Sequence, residues 1–71
     1  MLEYKNKGVK RYSKFKVGDE VKITHAKPNF KMGKIYIVSG IEFSIQNLPD
    51  LNVITLKNTD YVLFEKELKK A

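Results

Sequence analysis

The chain contains no cysteine and no tryptophan, and its 71 residues include a single histidine, His25. Without cysteine there are no disulfide bridges and no thiolate metal sites, and nothing points to an oxidising compartment. Large apolar residues form runs of no more than four, as in residues 35–38, whereas a membrane-spanning helix needs roughly 20. No opening stretch joins a basic end to an apolar segment of signal-peptide length. We therefore expect a soluble, cytoplasmic protein with no membrane association.

The residue patterns of a catalytic site are also missing. No nucleophile lies in a strand-to-helix elbow or in a glycine-rich loop, and His25 is the only histidine in the sequence. The adjacent carboxylates Asp19 and Glu20 are typical of a solvated turn rather than of an acid and base pair. No spacing of metal ligands occurs. The sequence predicts a protein that is not an enzyme and that has no cofactor and no metal.

Positive charge is abundant and unevenly distributed. The net charge is +6. Residues 1–34 carry ten basic and three acidic groups, a balance of +7, whereas residues 35–71 carry four basic and five acidic groups, a balance of −1. This distribution is typical of an anion-binding edge, but a solvated surface would give the same count.

Two regions differ in pattern. Residues 1–14 show neither the 3.6-residue nor the two-residue apolar period, and we expect a basic N-terminal arm that is mobile or that adds one short edge strand around residues 9–12. Tyr4 and Tyr12 alternate there with basic residues, which suits stacking on bases and neutralising phosphates but is also ordinary in a disordered tail. Residues 15–71 are predicted to form one small β-domain.

Strand patterns follow one another through residues 15–71. Val21 and Ile23 alternate with polar residues after a Gly18-Asp19 turn, and residues 34–43 read as the longest strand. Its Ser39-Gly40 pair predicts a bulge or a bend. Residues 52–57 and 61–64 read as a hairpin, and residues 65–71 as a single helical turn that seats Leu68. The predicted core consists of Val17, Val21, Ile23, Ile35, Val38, Ile41, Ile54, Leu56, Val62, Phe64 and Leu68.

The strand Val21-Lys22-Ile23 is followed, after a loop, by Gly33, Tyr36 and Val38. This part of the chain resembles the KOW-type variant of the SH3-like small barrel. In that pattern an apolar pair precedes a loop and then Gly-x-x-Gly-x-Val, and Tyr36 stands where the second glycine is expected. The ending 61–68 also resembles the last strand, turn and closing leucine of such barrels, including small uncharacterised proteins of phages and mobile elements. The resemblance implies an all-β, SH3-like five-stranded barrel with a single helical turn before the last short strand.

KOW barrels occur in ribosomal proteins and transcription elongation factors, so the resemblance implies a nucleic-acid or nucleoprotein binding module. The loop that meets RNA or protein in that family corresponds to residues 25–33. From the residues themselves, lysines near Phe30 and Tyr36 suit phosphate neutralisation and stacking on an unpaired base, although either ring also suits a core position. The candidate nucleic-acid-binding residues are Lys14, Lys16, Lys22, Lys27, Phe30, Lys31, Lys34 and Tyr36.

A second hypothesis is a protein-interaction module, such as a phage-type factor that docks on a host protein through an apolar sheet edge. Its basis is that Tyr61, Leu63, Ile45 and Leu48 cannot all be buried in so small a core. Either hypothesis is compatible with a monomer or a weak homodimer.

Overall fold

A computed structural model describes all residues, 1–71, and shows seven strands arranged in two sheets. Apart from the strands, regular structure is limited to two 3-10 turns, Pro49–Leu51 and Glu65–Glu67. The strands are β1 (Leu2–Asn6), β2 (Val9–Ser13), β3 (Glu20–Ile23), β4 (Tyr36–Glu42), β5 (Val53–Leu56), β6 (Val62–Phe64) and β7 (Leu68–Lys70). The all-β class predicted from the sequence is confirmed.

Five of the strands form the main sheet, in the order β6-β5-β4-β3-β7, with every neighbouring pair antiparallel. No pairing joins β6 to β7, so both remain edge strands and the sheet is not closed into a barrel. The prediction of a five-stranded barrel therefore needs two corrections. The chain has seven strands, because the N-terminal segment supplies two, and hydrogen bonding leaves the main sheet open.

The N-terminal residues, expected to be mobile or to add one edge strand, form the separate hairpin β1–β2. Its two-residue turn places Lys7 and Gly8 at φ 55° and 80°, as tight hairpins with right-handed twist require. One face carries the directly opposed Lys5 and Lys10. On the other face, the Tyr4 hydroxyl donates to the carbonyl of Phe15, in the segment before β3, over 2.7 Å, and the Tyr4 ring lies 5.2 Å from that of Phe43, directly after β4.

The core lies on the inner face of the main sheet. Six of the predicted core residues are buried there: Val21, Ile23, Val38, Ile54, Leu56 and Leu68. Phe15, Tyr36 and Leu63 complete this cluster, and Ile41 packs against its margin. The alternation of β3 predicted its inward face correctly, because Val21 and Ile23 are separated by a polar residue.

Four predicted core residues are exposed instead. Val17 is 63% exposed because it lies in the turn before β3, not in a strand. Ile35, Val62 and Phe64 are also exposed, since each has the opposite parity from a buried neighbour. In β6 the cross-strand pairing of Ile54 with Leu63 turns Leu63 inward, and its sequence neighbours must then face outward.

Two predicted local features are confirmed. Asp19 donates its backbone N–H to the carbonyl of Lys16 over 3.0 Å. Gly18 within that turn has φ +96°, which a type II turn requires and glycine permits. In β4 the register against β5 shifts between Val38 and Gly40, which is the expected bulge.

Candidate nucleic-acid interface

The long loop between β3 and β4, residues 24–35, consists largely of two successive tight turns. The first closes with Phe30 N–H donating to Lys27 O over 3.3 Å, and the second with Lys34 N–H donating to Lys31 O over 3.4 Å. Their third positions are Asn29 at φ 70° and Gly33 at φ 79°, the conformation that type II turns place there. Pro28 precedes Asn29 and sets the φ angle of the second position. Lys27 and Lys31 are the first residues of the two turns, and Lys34 is the last residue of the second.

An aromatic cluster fastens this loop to the β5–β6 hairpin. The half-buried Phe30 ring meets Tyr36 at 5.7 Å and Tyr61 at 6.3 Å between ring centroids, both edge to face, which is a favourable arrangement for aromatic rings. The backbone N–H of Lys31 donates to the Tyr36 hydroxyl over 2.9 Å. The loop is thus held in place by two side chains outside it, Tyr36 on β4 and Tyr61 directly before β6.

A cleft of about 360 Å³ opens between the loop and the hairpin turn that joins β5 to β6. On the loop side and β4 it is lined by Asn29, Lys31, Lys34 and Tyr36, and on the hairpin side by Asn58, Thr59, Asp60 and Tyr61. We call it the tyrosine cleft. The Lys34 ammonium lies 5.0 Å from the centre of the Tyr36 ring, and Asp60 is the single carboxylate among the lining residues.

Lys31 and Lys34 are exposed and belong to no ion pair, so their charges are available to a ligand. Lys27 and Lys16 differ in this respect. Lys27 forms an ion pair with Glu67, and Lys16 forms one with Asp19 over 3.5 Å. These contacts neutralise both lysines locally and reduce the positive field that they present.

The carboxylates in these pairs have lowered pKa values. The Lys27 hydrogen bond is the main reason why the pKa of Glu67 lies below its ordinary value. For Asp19 the largest cause of the lowered pKa is the backbone N–H of Lys16, which donates to Asp19 Oδ2 over 3.0 Å. Both residues are therefore structural acceptors that hold turns in place.

The sequence-predicted site residues separate into two groups. Phe30, Lys31, Lys34 and Tyr36 come together at the tyrosine cleft. Lys14, Lys16, Lys22 and Lys27 do not line it: Lys14 lies 5.6 Å from the Phe15 ring, Lys16 and Lys27 are ion-paired, and Lys22 lies on β3.

The roles of the two tyrosines differ from the sequence expectation. Tyr36 is only 8% exposed and belongs to the core, and only a small part of its side chain lines the cleft. Tyr61 is 52% exposed and is the more accessible of the two tyrosines that line the cleft. Sequence reasoning assigned Tyr61 to a strand rather than to this site, because nothing in the sequence places the β5–β6 turn beside the loop at 24–35.

Comparison with known proteins finds no matching family model, no matching curated protein and no matching solved structure. None of the helical segments has the length and apolar character needed to cross a bilayer. The fold brings no three histidine, cysteine, aspartate or glutamate side chains together as a metal-binding group.

Proposed function

We propose that this protein is a non-catalytic module that binds single-stranded RNA or DNA with little sequence preference in the tyrosine cleft. The observation that carries the proposal is the placement of two unpaired lysines, Lys31 and Lys34, beside the exposed ring of Tyr61. Proteins that bind single strands combine cations for the backbone with aromatic faces for the bases. A tyrosine face stacks on any base, and lysines contact phosphates without reading sequence.

The finer part of the proposal is an SH3-like fold of the KOW type, in which hydrogen bonding leaves the five-stranded sheet open. Its support is that the main sheet has five strands and that a 3-10 turn precedes β7, the last of them in the chain. The loop that meets RNA or protein in KOW barrels corresponds to the basic loop beside the cleft. The missing second glycine is explained by packing, because Tyr36 at that position fills the core and accepts a hydrogen bond from Lys31.

The experiment is a salt titration of binding to fluorescein-labelled oligouridylate and oligothymidylate of about ten nucleotides, within the site sizes known for single-strand binders. Fluorescence anisotropy gives the dissociation constant at each salt concentration. Each phosphate contact on a single strand contributes about 0.7 to the slope of log affinity against log salt. The K31Q/K34Q variant should therefore lower the magnitude of the slope by about 1.4.

A matched control is K5Q/K10Q, which removes the same charge from the outer face of the N-terminal hairpin. We expect its slope to stay close to that of the unmodified chain. The Tyr61→Ala variant should weaken binding by about 1–3 kcal/mol, the contribution of one base stacked on an aromatic ring, with the slope unchanged. Binding that does not weaken as salt rises would contradict the proposal.

A second candidate function, docking of a protein partner, is favoured by a different observation. The edge strand β6 exposes Val62 and Phe64 beside Tyr61, with one side of its backbone unpaired, and exposed edges of this kind accept additional strands. Ile45 and Leu48 are also exposed, while Leu63 is buried. A pull-down from nuclease-treated lysate discriminates the two functions, since a protein captured through β6 survives nuclease and is lost in a Val62→Lys variant. The cytoplasmic location expected from the sequence stays a prediction.

A further inference from the structure

Two lysines face each other on the outer surface of the main sheet. Lys22 on β3 is directly opposite Lys69 on β7. Val21, Ile23 and Leu68 point into the core, so the intervening Lys22 and its partner must point outward. Like charges directly opposite each other destabilise an antiparallel pair, and no carboxylate forms an ion pair with either lysine. The unfavourable pair is therefore not relieved by an ion pair.

This lysine pair lies on the same surface as a shallow groove that adjoins the tyrosine cleft. The groove, about 120 Å³, is lined by Lys34, Ile35, Tyr36, Ile37, Lys57 and Asn58. It shares Lys34, Tyr36 and Asn58 with the cleft, so the two depressions are contiguous. The backbone N–H of Lys57 donates to the carbonyl of Ile37 over 2.8 Å, which holds the Lys57 backbone beside β4.

The register connects the groove to the lysine pair. Glu20 pairs with Ile37 and Val21 with Tyr36, and one further step along the two chains brings Lys22 beside Ile35. From Lys69 across β3 to Ile35 is two strand spacings, about 10 Å. Glu20 is two residues from Lys22 on the same face of β3, and it is exposed and belongs to no ion pair.

We propose that Lys57, Lys22 and Lys69 form a track on the outer face of the sheet for the phosphates of a nucleic-acid strand whose base occupies the tyrosine cleft. The inference rests on the proposed function and extends it, because it names a second contact surface and the path of the bound strand from the tyrosine cleft across the outer face of the sheet. At about 3.4 Å per nucleotide, the rise along one strand of the B-DNA duplex, the additional 10 Å accommodates at most about three more nucleotides, and an extended single strand would place fewer there. A bound phosphate would also relieve the repulsion between Lys22 and Lys69.

Oligonucleotide length provides the test. The K22Q/K69Q variant is titrated with oligothymidylates of about four and about twelve nucleotides, which span the range of single-strand site sizes. The shorter probe fills the cleft alone, and the longer one also reaches the track. For the longer probe we expect the slope of log affinity against log salt to fall in magnitude by about 1.4, so that the loss of affinity between about 50 and 200 mM salt becomes about 7-fold smaller. For the shorter probe the slope should not change.

The K5Q/K10Q variant is again the matched control, because these lysines are also directly opposed across an antiparallel pair. It should leave both probes unaffected, and equal far-ultraviolet circular dichroism of the variants shows that they are folded. If K22Q/K69Q binds the longer probe like the unmodified chain while K31Q/K34Q binds it weakly, the proposed lysine track is wrong, and the proposed binding in the tyrosine cleft is retained. If the unmodified chain binds neither probe in a salt-dependent way, both proposals are wrong.

Discussion

The hydroxyl of Ser13, at the end of β2, donates a hydrogen bond to the fully buried carboxylate of Glu65, directly after β6. The same carboxylate accepts from the backbone N–H of Lys14 over 3.0 Å and from Asn52 Nδ2 over 3.2 Å. Asn52 Nδ2 also donates to the carbonyl of Tyr12 over 2.8 Å. All three contacts are donors to the Glu65 oxygens, and the network fastens the N-terminal hairpin to the main sheet.

Replacing Glu65 by glutamine should destabilise the protein although the shape of the side chain is kept. The amide nitrogen of glutamine can only donate, so at least one of the donors around residue 65 loses its acceptor. A buried polar group without a partner costs about 1–3 kcal/mol, and urea unfolding measures the loss. The control Glu20→Gln, at an exposed position without an ion pair, should change stability by less than about 0.5 kcal/mol. Equal stability of the two variants would show that the network does not hold the hairpin.

The bulge in β4 depends on glycine at position 40. A Cβ atom there would lie 2.6 Å from the Thr55 hydroxyl oxygen, and that hydroxyl accepts a hydrogen bond from Ser39 over 3.3 Å. We expect Gly40→Ala to lower the free energy of unfolding by about 1–3 kcal/mol, as overpacking does. In a Thr55→Ala background the same substitution should cost much less, so a double-mutant cycle gives a coupling energy. Strictly additive effects would contradict the clash.

Stability should fall on acidification because of Asp19 and Glu67. Both have pKa values lowered in the folded state, so the unfolded chain binds more protons once the pH approaches the ordinary carboxyl range, about 4. Their stabilisation is complete above that range and is lost as the pH falls through the folded-state values. The drop in melting temperature between about pH 6 and about pH 3 should be smaller for D19N and for E67Q than for the unmodified chain. The exposed Asp50→Asn serves as control, and equal drops for all four proteins would refute the prediction.

Removal of the opposed lysines should stabilise the sheet while it weakens binding. Like charges directly opposite each other destabilise an antiparallel pair, whereas favourable cross-strand pairs contribute about 0.2–1 kcal/mol, so K22Q/K69Q should unfold at a slightly higher urea concentration than the unmodified chain. K31Q/K34Q removes the same charge from the loop, where no cross-strand pair is relieved, and should gain less. A loss of stability in K22Q/K69Q would contradict the unfavourable interaction between the two lysines.

The sequence predicted local structure correctly where polar and apolar residues alternate, or where a glycine marks a backbone irregularity such as a bulge. Val21 and Ile23 identified the inner face of β3, and Ser39-Gly40 identified the bulge. The four consecutive apolar residues 61–64 carry no alternation, so only the pairing with β5 decides which of them turn inward. Strand β1 was missed because its turn places a lysine, Lys7, in a left-handed conformation that the residue type does not indicate.

The candidate site was predictable only in part, for the same reason. The basic loop and its aromatic residue Phe30 are local in sequence, and both were identified. The pairing of Lys27 with Glu67 and the approach of Tyr61 to the loop depend on tertiary contacts between distant residues. Such contacts decide which lysines are free of ion pairs, so a count of charges along the chain overestimates the proposed binding surface.

Amide chemical-shift mapping with an oligouridylate of about ten nucleotides reports both whether the tyrosine cleft binds a single strand and where the strand lies. We expect the largest shifts on residues 29–34 and 58–61, the two segments on either side of the tyrosine cleft, and we expect the shifts to diminish as salt is added. Shifts confined to the N-terminal hairpin or to the outer edge of β6, or no shifts at all, would contradict the proposed binding in the tyrosine cleft.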